Sequence, residues 1–259
     1  MDHRKTEQLI DTLDKVEQNR KECYIREFSI EHFHDSKVFE TLIPKICKIF
    51  REENEELTGF ENEEILAEYQ IYKTPGYVYM KGSVQIYSAG KQAADISAFP
   101  EGIAVAVGSE EDVPDICPDQ TIDKVFTIEN LTSFYRFKQE HSLVIYLGGY
   151  HNRSRRNLLM QIYQKLPDAQ YYHFGDLDAG GFYILEHLKR KTGIPFQMFQ
   201  MDIETLKKYE DYAKPLTEND KKRLMQLEKM ELPDEERKLI TYMLQKGIKL
   251  EQECISESQ

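Results

Sequence analysis

The feature that most constrains the fold is a series of short apolar runs in the second half of the chain. These runs are KVFTI, LVIYL, QYYHF and PFQMF, at residues 124–128, 143–147, 170–174 and 195–199. The segments that separate the first three have apolar residues at helical spacing. Because strands that alternate with helices form right-handed β-α-β units, this pattern predicts an α/β fold with a mostly parallel sheet flanked by helices.

The first half of the chain has a different pattern of apolar residues and turns. Apolar residues at helical spacing predict an amphipathic helix at about 5–20. From 67 to 107, alternating stretches separated by glycine turns predict a small antiparallel sheet. Helices followed by hairpins are compatible with a small α+β winged-helix-like module. We therefore predict an N-terminal helix and linker at 1–22, a winged-helix-like DNA-binding module at 23–117 and an α/β domain with C-terminal helices at 118–259.

The acidic charge balance argues against one broad class of protein. Thirty-four Lys and Arg against 46 Asp and Glu give a net charge of −12. Sequence-independent affinity for DNA comes from Lys and Arg that neutralise phosphates. A protein whose whole surface coats nucleic acid is therefore not expected, although a local basic groove remains compatible with this total.

The cellular location of the protein and the absence of disulfide or zinc cross-links are predicted from features that the sequence lacks. No apolar stretch approaches the roughly 18 residues of a membrane span, and the first residues lack the apolar segment of a signal peptide. We therefore expect a cytoplasmic protein with no membrane contact. Cys23, Cys47, Cys117 and Cys254 are far apart in the sequence, so we expect neither a zinc cage nor a disulfide framework.

Acidic residues follow the apolar runs where a parallel sheet gathers its carboxyl ends. Glu129 follows KVFTI, and Asp176 and Asp178 follow QYYHF. If the strands are neighbours, these three carboxylates converge and repel one another, a cost that a hard divalent cation relieves. Oxygen ligands of this kind suit Mg²⁺ or Mn²⁺. Glycines in the same turns permit close approach of a ligand or another backbone: these are Gly148, Gly149, Gly180 and Gly181.

Other interpretations of the D-x-D sequence need to be weighed. Asp and Gly are ordinary turn residues after a strand, so the motif alone also fits a simple turn. An EF-hand loop requires a bidentate Glu at its twelfth position, where this chain has His187. A phosphotransfer aspartate would follow the first strand of its domain, whereas this motif follows the third.

Positive charge next to the carboxylates would serve a phosphodiester substrate. The segment HNRSRRNLL places Arg153, Arg155 and Arg156 after the second strand, at the predicted carboxyl edge. We predict that these arginines contact DNA phosphate. Lys37 stands at a predicted helix start, which is unfavourable for a cation unless an anion lies nearby. DNA phosphate and the carboxylate of Asp35 are the two alternatives for that anion.

Several segments together resemble a known family. TIENLTSF and GDLDAGG in register resemble a Toprim domain, a Rossmann-like fold in which a Glu and a D-x-D form the catalytic centre. A larger set of segments, from about Arg26 to Glu253, occurs in the same order as in the JetD family of Wadjet plasmid-defence nuclease subunits, and the chain resembles that family. This set is IREFSIEHFHDSKVFE, TIENLTSF, VIYLGGYHNRSRRNLL, YYHFGDLDAGGFYIL, QMFQMD and LEQE. The Toprim portion is also similar to that of the topoisomerase VI A subunit.

The resemblance implies metal-dependent hydrolysis of DNA phosphodiester bonds. Asp176 and Asp178 would hold one or two Mg²⁺ or Mn²⁺ ions, and Glu129 would ligate a second ion or transfer a proton. Within such a cluster we expect the pKa of one carboxyl to rise. After Asp202 the sequence predicts helices to the end of the chain. Two further acids near that end are candidate metal ligands, and the alternative is that they lie on a solvated helix face. These two are Glu251 and Glu253 in LEQE.

The resemblance also implies partners. They are double-stranded plasmid DNA, the SMC and kleisin-type subunits of a condensin-like defence complex, and a second copy of the chain in a homodimer. The family pattern usually includes a further N-terminal arm, which this sequence does not show. We therefore expect a short or truncated member of the family, whose docking to the rest of the complex is in question.

Three other functions compete with the nuclease. One is a DNA-binding or assembly subunit that keeps the Toprim fold without catalysis, and another is a phosphate-binding regulatory domain without DNA. Strand cleavage like that of topoisomerase VI would need a tyrosine nucleophile, for which Tyr72, Tyr77 and Tyr79 are candidates. Because tyrosines that alternate along a strand usually serve packing, we favour hydrolysis.

Overall fold

The computed structural model describes residues 3–54, 57, 60–73, 76–107, 114–148 and 153–255. The chain forms two compact units. The N-terminal unit comprises Met1–Gly76, Ala106–Val113 and Asn152–Ser154, and the C-terminal unit comprises Tyr77–Val105, Pro114–His151 and Arg155–Gln259. The chain is thus divided near residue 76, inside the segment predicted as a winged-helix-like module. The predicted domain boundaries and the winged-helix assignment stay predictions.

The N-terminal unit is mainly helical. It contains helices α1 (His3–Gln18), α2 (Ile25–Phe33), α3 (Val38–Glu53) and α4 (Asn62–Glu68), and the paired parallel strands β1 (Cys23–Tyr24) and β2 (Ile71–Tyr72). Helices α2 and α3 contact each other through Phe28 and Phe39, whose ring centroids are 4.5 Å apart. The buried hydroxyl of Ser29 joins the same two helices, because it accepts a hydrogen bond from Phe39 N at 3.0 Å.

The C-terminal unit is built on a six-stranded sheet with the order β11-β10-β8-β9-β3-β6. Its strands are β3 (Gly76–Lys81), β6 (Ile103–Val107), β8 (Lys124–Ile128), β9 (Ser142–Tyr146), β10 (Gln170–Phe174) and β11 (Gln197–Met198). The pairs β8–β9, β8–β10 and β10–β11 are parallel, and β3 is antiparallel to β9. The predicted mixed α/β class with a mostly parallel central sheet is confirmed.

The predicted small antiparallel sheet forms from different strands than expected. It consists of β4 (Val84–Ser88), β5 (Lys91–Asp95) and β7 (Asp115–Pro118), in the order β5-β4-β7. Strand β3, which contains YVYM, lies instead in the central sheet. The physical reason is its burial: Val78 and Met80 are fully buried and Tyr79 between them is half-buried, so one face of the strand is covered completely and the other in part.

Helices cover both faces of the central sheet. They are α5 (Leu131–Arg136), α6 (Arg153–Lys165), α7 (Ala179–Thr192), α8 (Ile203–Lys208), α9 (Glu218–Leu227) and α10 (Asp234–Lys246). Tyr171 contacts Tyr163 of α6 across one face, with ring centroids 5.2 Å apart. Because successive side chains of a strand alternate between faces, Phe174 points the other way, into a buried cluster shared with α5, α7, α9 and α10.

The C-terminal segment differs from the predicted helix. Helix α10 ends at Gly247, which has φ +69°, and the antiparallel strands β12 (Lys214–Pro215) and β13 (Ile248–Lys249) pair beside it. The segment LEQE then contains a bridge residue, Leu250, and the start of a single 3₁₀ turn, Gln252–Cys254. The left-handed glycine stops the helix, and hydrogen bonds to Leu177 hold the following backbone extended.

Among the described residues, no helix has both the length and the apolar character that a membrane span requires.

Candidate functional site

Glu129 and Asp176 stand next to each other because they follow neighbouring strands in register. Ile128 of β8 lies opposite Phe174 of β10. The pairing continues past the strands, where Glu129 N donates to Phe174 O at 3.1 Å. Asp176 N then donates to Glu129 Oε2 at 3.3 Å. The parallel pairing therefore brings the Glu129 carboxylate directly onto the backbone of the turn that contains Asp176.

Asp178 is held at the start of helix α7. It is the N-cap residue, and its Oδ1 accepts a hydrogen bond from Gly181 N at 2.9 Å. A Cβ on Gly181 would lie 2.1 Å from the carbonyl oxygen of Asp176, a distance that no side chain permits. A Cβ on Gly180 would lie 3.0 Å from Asp178 Oδ1. Only glycine at 181 thus allows the turn and the helix to meet as they do.

The third glycine of this turn, Gly175, makes room for the Glu129 carboxylate and the buried ring of His173. A Cβ there would lie 2.7 Å from Glu129 Oε2 and 2.8 Å from His173 Nε2. Burial lowers the pKa of His173 to about 3, with a further contribution from the charge of Lys189. The ring nitrogen Nδ1 is 3.0 Å from the hydroxyl of Thr127. His173 is therefore a neutral structural histidine beneath the carboxylates.

The C-terminal segment closes the site from a third side. Leu177 and Leu250 exchange two backbone hydrogen bonds, with lengths of 2.9 and 3.1 Å. Beyond this bridge, Glu253 Oε1 accepts from Asn130 Nδ2 at 2.5 Å. Glu251 pairs with Lys214 at 2.5 Å. Of the two acids predicted as optional ligands, Glu251 thus lies in extended backbone and Glu253 lies in the 3₁₀ turn that follows it, whereas the sequence predicted an α-helix for both.

A residue that the sequence gave no reason to select lies between them. Gln252 is fully buried. Its backbone N donates to Asp176 Oδ1 at 2.7 Å, its Oε1 accepts from Asn130 N at 2.8 Å and its Nε2 donates to Phe174 O at 2.9 Å. Its partners are 76 to 122 residues away in the chain. Only the burial pattern of the folded chain reveals it.

Asp176 has the perturbed carboxyl of the site. Burial raises its pKa to about 6, the hydrogen bond from Gln252 N opposes this rise, and the charges of neighbouring acids add to it. These acids are Asp178, Glu253 and Glu251. Such a rise is typical of a buried carboxyl, and nearby like charges increase it. Acidic side chains are thus close together at one position on the sheet edge. The pKa of one of them is raised, as the sequence predicts.

The donor set suits a hard cation. All the acids that influence Asp176 offer oxygen atoms, and a divalent ion at this edge would offset the charge that raises its pKa. Within the described ranges, however, no group of three or more His, Cys, Asp and Glu side chains is placed so that it could hold a metal ion as it stands. The carboxylates lie along one edge of the sheet and accept hydrogen bonds mainly from peptide N–H groups. They do not surround a common position for a metal ion.

The arginine segment leads from the sheet edge into helix α6. Arg155 Nη1 donates to Leu147 O at 2.5 Å and its Nη2 donates to Tyr77 O at 3.4 Å, so this guanidinium supports the end of β9. Arg156, in the first turn of α6, is half-buried, and its charge helps to lower the pKa of His187. The side chain of Arg153 lies outside the described residues. Contact of this segment with phosphate stays a prediction.

The remaining predicted positions are spread over both units. Gly148 has φ +67°, and a Cβ there would lie 3.0 Å from the ring of Tyr146. Gly149 lies outside the described residues. Lys37 is exposed in the N-terminal unit, where it precedes α3 and its backbone N donates to Asp35 Oδ1 at 2.7 Å. This bond orients the backbone and identifies no partner for the Lys37 side chain.

The tyrosines considered as nucleophiles occupy three different environments. Tyr72 lies in β2 of the N-terminal unit, and Tyr77 is 51% exposed on β3. Tyr79 packs edge-on against Tyr146 with ring centroids 5.8 Å apart. Burial raises the pKa of Tyr146, and the charge of Glu129 adds to that rise. The alternating tyrosines of β3 thus include one that serves packing, as their pattern predicts.

Fold and site together define a class: an α/β protein with acidic side chains gathered at the carboxyl edge of a mostly parallel sheet. Residues 112–259 match the family model "Wadjet protein JetD, C-terminal". The chain belongs to this family. Over 254 residues it is 29% identical to the Wadjet protein JetD of Bacillus cereus (strain Q1), an alignment that covers 96% of this chain. The chain spans 61% of the length of that relative.

Proposed function

We propose that this protein is the DNA-cleaving subunit of a Wadjet-type plasmid-defence system, a Toprim-like endonuclease that depends on Mg²⁺ or Mn²⁺. The observation that carries the proposal is the junction of two strand ends, in which Asp176 N contacts the Glu129 carboxylate. The raised pKa of Asp176 supports it, because perturbed carboxyls cluster at functional sites. Membership of the JetD family supports the biological setting.

The residues divide the chemistry of hydrolysis among them. Asp176 and Asp178 would hold the cation, with Glu253 and Glu251 as further oxygen donors. A bound Mg²⁺ or Mn²⁺ would offset charge on the scissile phosphate and make a bound water more acidic. Glu129 carries its carboxylate beside Asp176, at a position suited to accept the proton of an attacking water or to add to the oxygen ligands.

DNA would approach from the side where α6 begins. Arg156 brings positive charge to the sheet edge, and the N-terminal N–H groups of α6 favour an anion there. The acidic total of the chain, −12, opposes tight binding by the chain alone. We therefore place this subunit in a complex with SMC and kleisin-type partners that bring plasmid DNA to it, with a homodimer as a further possible assembly.

Cleavage of a closed-circular plasmid tests the proposal. The chain is incubated with supercoiled plasmid and Mg²⁺ or Mn²⁺, alone and with the SMC and kleisin-type subunits of its defence system. We expect nicked or linear product for the wild type and none for Asp176→Ala. Asp202→Asn is the control, because Asp202 caps α8 through Thr205 N at 2.7 Å and an Asn can keep this cap.

Two outcomes would overturn the assignment. Cleavage that survives Asp176→Ala would show that another protein or another site performs the reaction. If no cleavage occurs with every partner and both metals present, the second candidate function is favoured, a DNA-binding or assembly subunit without catalysis. The observation in favour of that candidate is that the described side chains do not form a ready metal group.

A further inference from the structure

Gln252 connects the two strand ends that carry the candidate catalytic residues. One end is Asn130, which directly follows Glu129, and the other is Phe174, two residues before Asp176. The side-chain amide of Gln252 accepts from Asn130 N at 2.8 Å and donates to Phe174 O at 2.9 Å. A single side chain thus spans β8 and β10 at the point where their ladder ends and the carboxylates begin.

The chemistry of these bonds requires an amide. One atom of the group must accept and the other must donate, and both are buried, because Gln252 is fully buried. A carboxylate would place an oxygen against the Phe174 carbonyl. An apolar side chain would leave Asn130 N without this acceptor and would leave Phe174 O only its hydrogen bond from Glu129 N. Among the side chains of this length, glutamine alone satisfies both backbone groups at once.

The backbone of the same residue fixes Asp176 directly. Gln252 N donates to Asp176 Oδ1 at 2.7 Å. On its other side Asp176 is followed by Leu177, which is tied to Leu250 by two backbone hydrogen bonds. The Asp176 carboxylate is therefore oriented by a segment that is itself attached to both strand ends. A shift of this segment would move Asp176 relative to Glu129.

We propose that Gln252 is a positioning residue that sets the spacing and orientation of Glu129 and Asp176 for cation binding. This inference rests on the proposed function, because it concerns the same metal-dependent site. Gln252 would touch neither substrate nor ion, and it would act through the two carboxylates. Hydrogen-bonding partners of ligand side chains typically change metal affinity or activity by 10 to 100-fold when they are removed.

The test compares two glutamines that make the same kind of bond. Gln252→Met keeps the length of the side chain and removes both side-chain bonds. The matched control is Gln161→Met, since Gln161 Oε1 accepts from Ile116 N at 3.1 Å in the same unit. Mn²⁺ affinity is measured by calorimetric titration of the full chain well below its unfolding temperature, beside the wild type and Asp176→Asn.

We expect Gln252→Met to weaken Mn²⁺ binding by about 10 to 100-fold, and Gln161→Met to bind within about twofold of the wild type. If Gln252→Met does not fold, Gln252→Glu serves instead, because it retains the acceptor for Asn130 N. The inference is wrong if either folded variant binds Mn²⁺ like the wild type while Asp176→Asn does not. If the wild type itself binds no Mn²⁺, the metal-dependent function fails first, and this inference fails with it.

Discussion

At the scale of single residues, Asp176 is a carboxyl of the site whose pKa is raised. Its pKa of about 6 lies above the value of 3.8 for an unperturbed aspartate, mainly because the carboxyl is buried. A carboxyl whose pKa is raised by folding stabilises the fold at low pH, and this contribution is lost as the pH rises through about 6. Above that pH the ionised Asp176 therefore destabilises the metal-free protein.

Replacement of Asp176 by Asn should stabilise the metal-free protein at pH 8. The neutral amide removes a buried charge and can still accept the hydrogen bond from Gln252 N. We expect the free energy of unfolding to rise by about 1–3 kcal/mol at pH 8, which is the scale of a shift of about two pKa units. Urea unfolding in the presence of EDTA measures this gain.

The pH dependence of this gain in the free energy of unfolding shows whether it comes from removing the charge of Asp176 or from a change in packing. The difference between Asp176→Asn and the wild type should shrink below about pH 4, where the aspartate is protonated in both the folded and the unfolded state. Asp202→Asn, at the N-cap of α8, should show no comparable gain, because an Asn keeps the hydrogen bond from Thr205 N. An equal gain at pH 4 and pH 8 would mean that the pKa of Asp176 is not raised.

The three candidate acids can be selected from the sequence because each stands within four residues of the end of a run that a parallel sheet aligns. Gln252 could not be found in the same way. Its partners lie 76 and 122 residues away, and no local pattern marks a glutamine that will be fully buried. A sequence motif identifies the residues at strand ends. It does not identify the residues that hold those ends together, because these come from distant parts of the sequence.

At the scale of elements, periodicity predicted the parallel strands and failed at two other segments. Strands β8, β9 and β10 are short, apolar and separated by helices, and this combination has few alternative folds. Strand β3 alternates like a hairpin strand, yet it pairs with β9 in the central sheet. The segment after Gly247 seemed to continue a helix, but its bridge to Leu177 overrides the local preference. Both failures arise from pairing with distant strands or turns.

The first turn of helix α7 allows a direct test of close packing. Gly181→Ala would place a methyl group 2.1 Å from Asp176 O, whereas Gly180→Ala would meet only the Asp178 carboxylate at 3.0 Å. We expect Gly181→Ala to lower the free energy of unfolding by about 1–3 kcal/mol, as overpacking does. Gly180→Ala should change it by less than about 1 kcal/mol, because alanine also favours the helix.

Chemical unfolding of the two glycine variants, together with Mn²⁺ titration, measures both effects. The methyl group at position 181 must displace the backbone of Asp176, so its metal affinity should fall along with its stability. Gly180→Ala is the matched control, one residue away in the same turn. Equal stability of the two variants would contradict the close approach of α7 to the Asp176 turn.

At the scale of the whole molecule, charge distribution bears on the proposed binding of DNA. The net charge is −12, and two acidic segments, 51–64 and 109–119, contain 12 of its 46 Asp and Glu residues. The arginines proposed to contact DNA phosphate lie in the first turn of α6. The chain covers 61% of the length of its Bacillus cereus relative.

The salt dependence of DNA binding measures what this chain contributes by itself. Each phosphate neutralised by the protein adds about 0.9 to the slope of log affinity against log salt concentration. Arg156 lies in the first turn of α6. If Arg156 contacts one phosphate, Arg156→Gln should reduce the magnitude of this slope by about one and weaken binding uniformly across DNA sequences.

Fluorescence anisotropy with a short labelled duplex, in EDTA so that no cleavage occurs, gives the slope between about 50 and 200 mM salt. The matched control is Arg237→Gln on α10, where Arg237 is exposed and its Nη2 donates to Leu232 O at 3.3 Å. This variant should keep the wild-type slope, because the lost charge lies on a helix away from the α6 start. If Arg156→Gln also keeps it, the phosphate contact of this chain must be made elsewhere, and the sheet edge would receive DNA only through partner proteins.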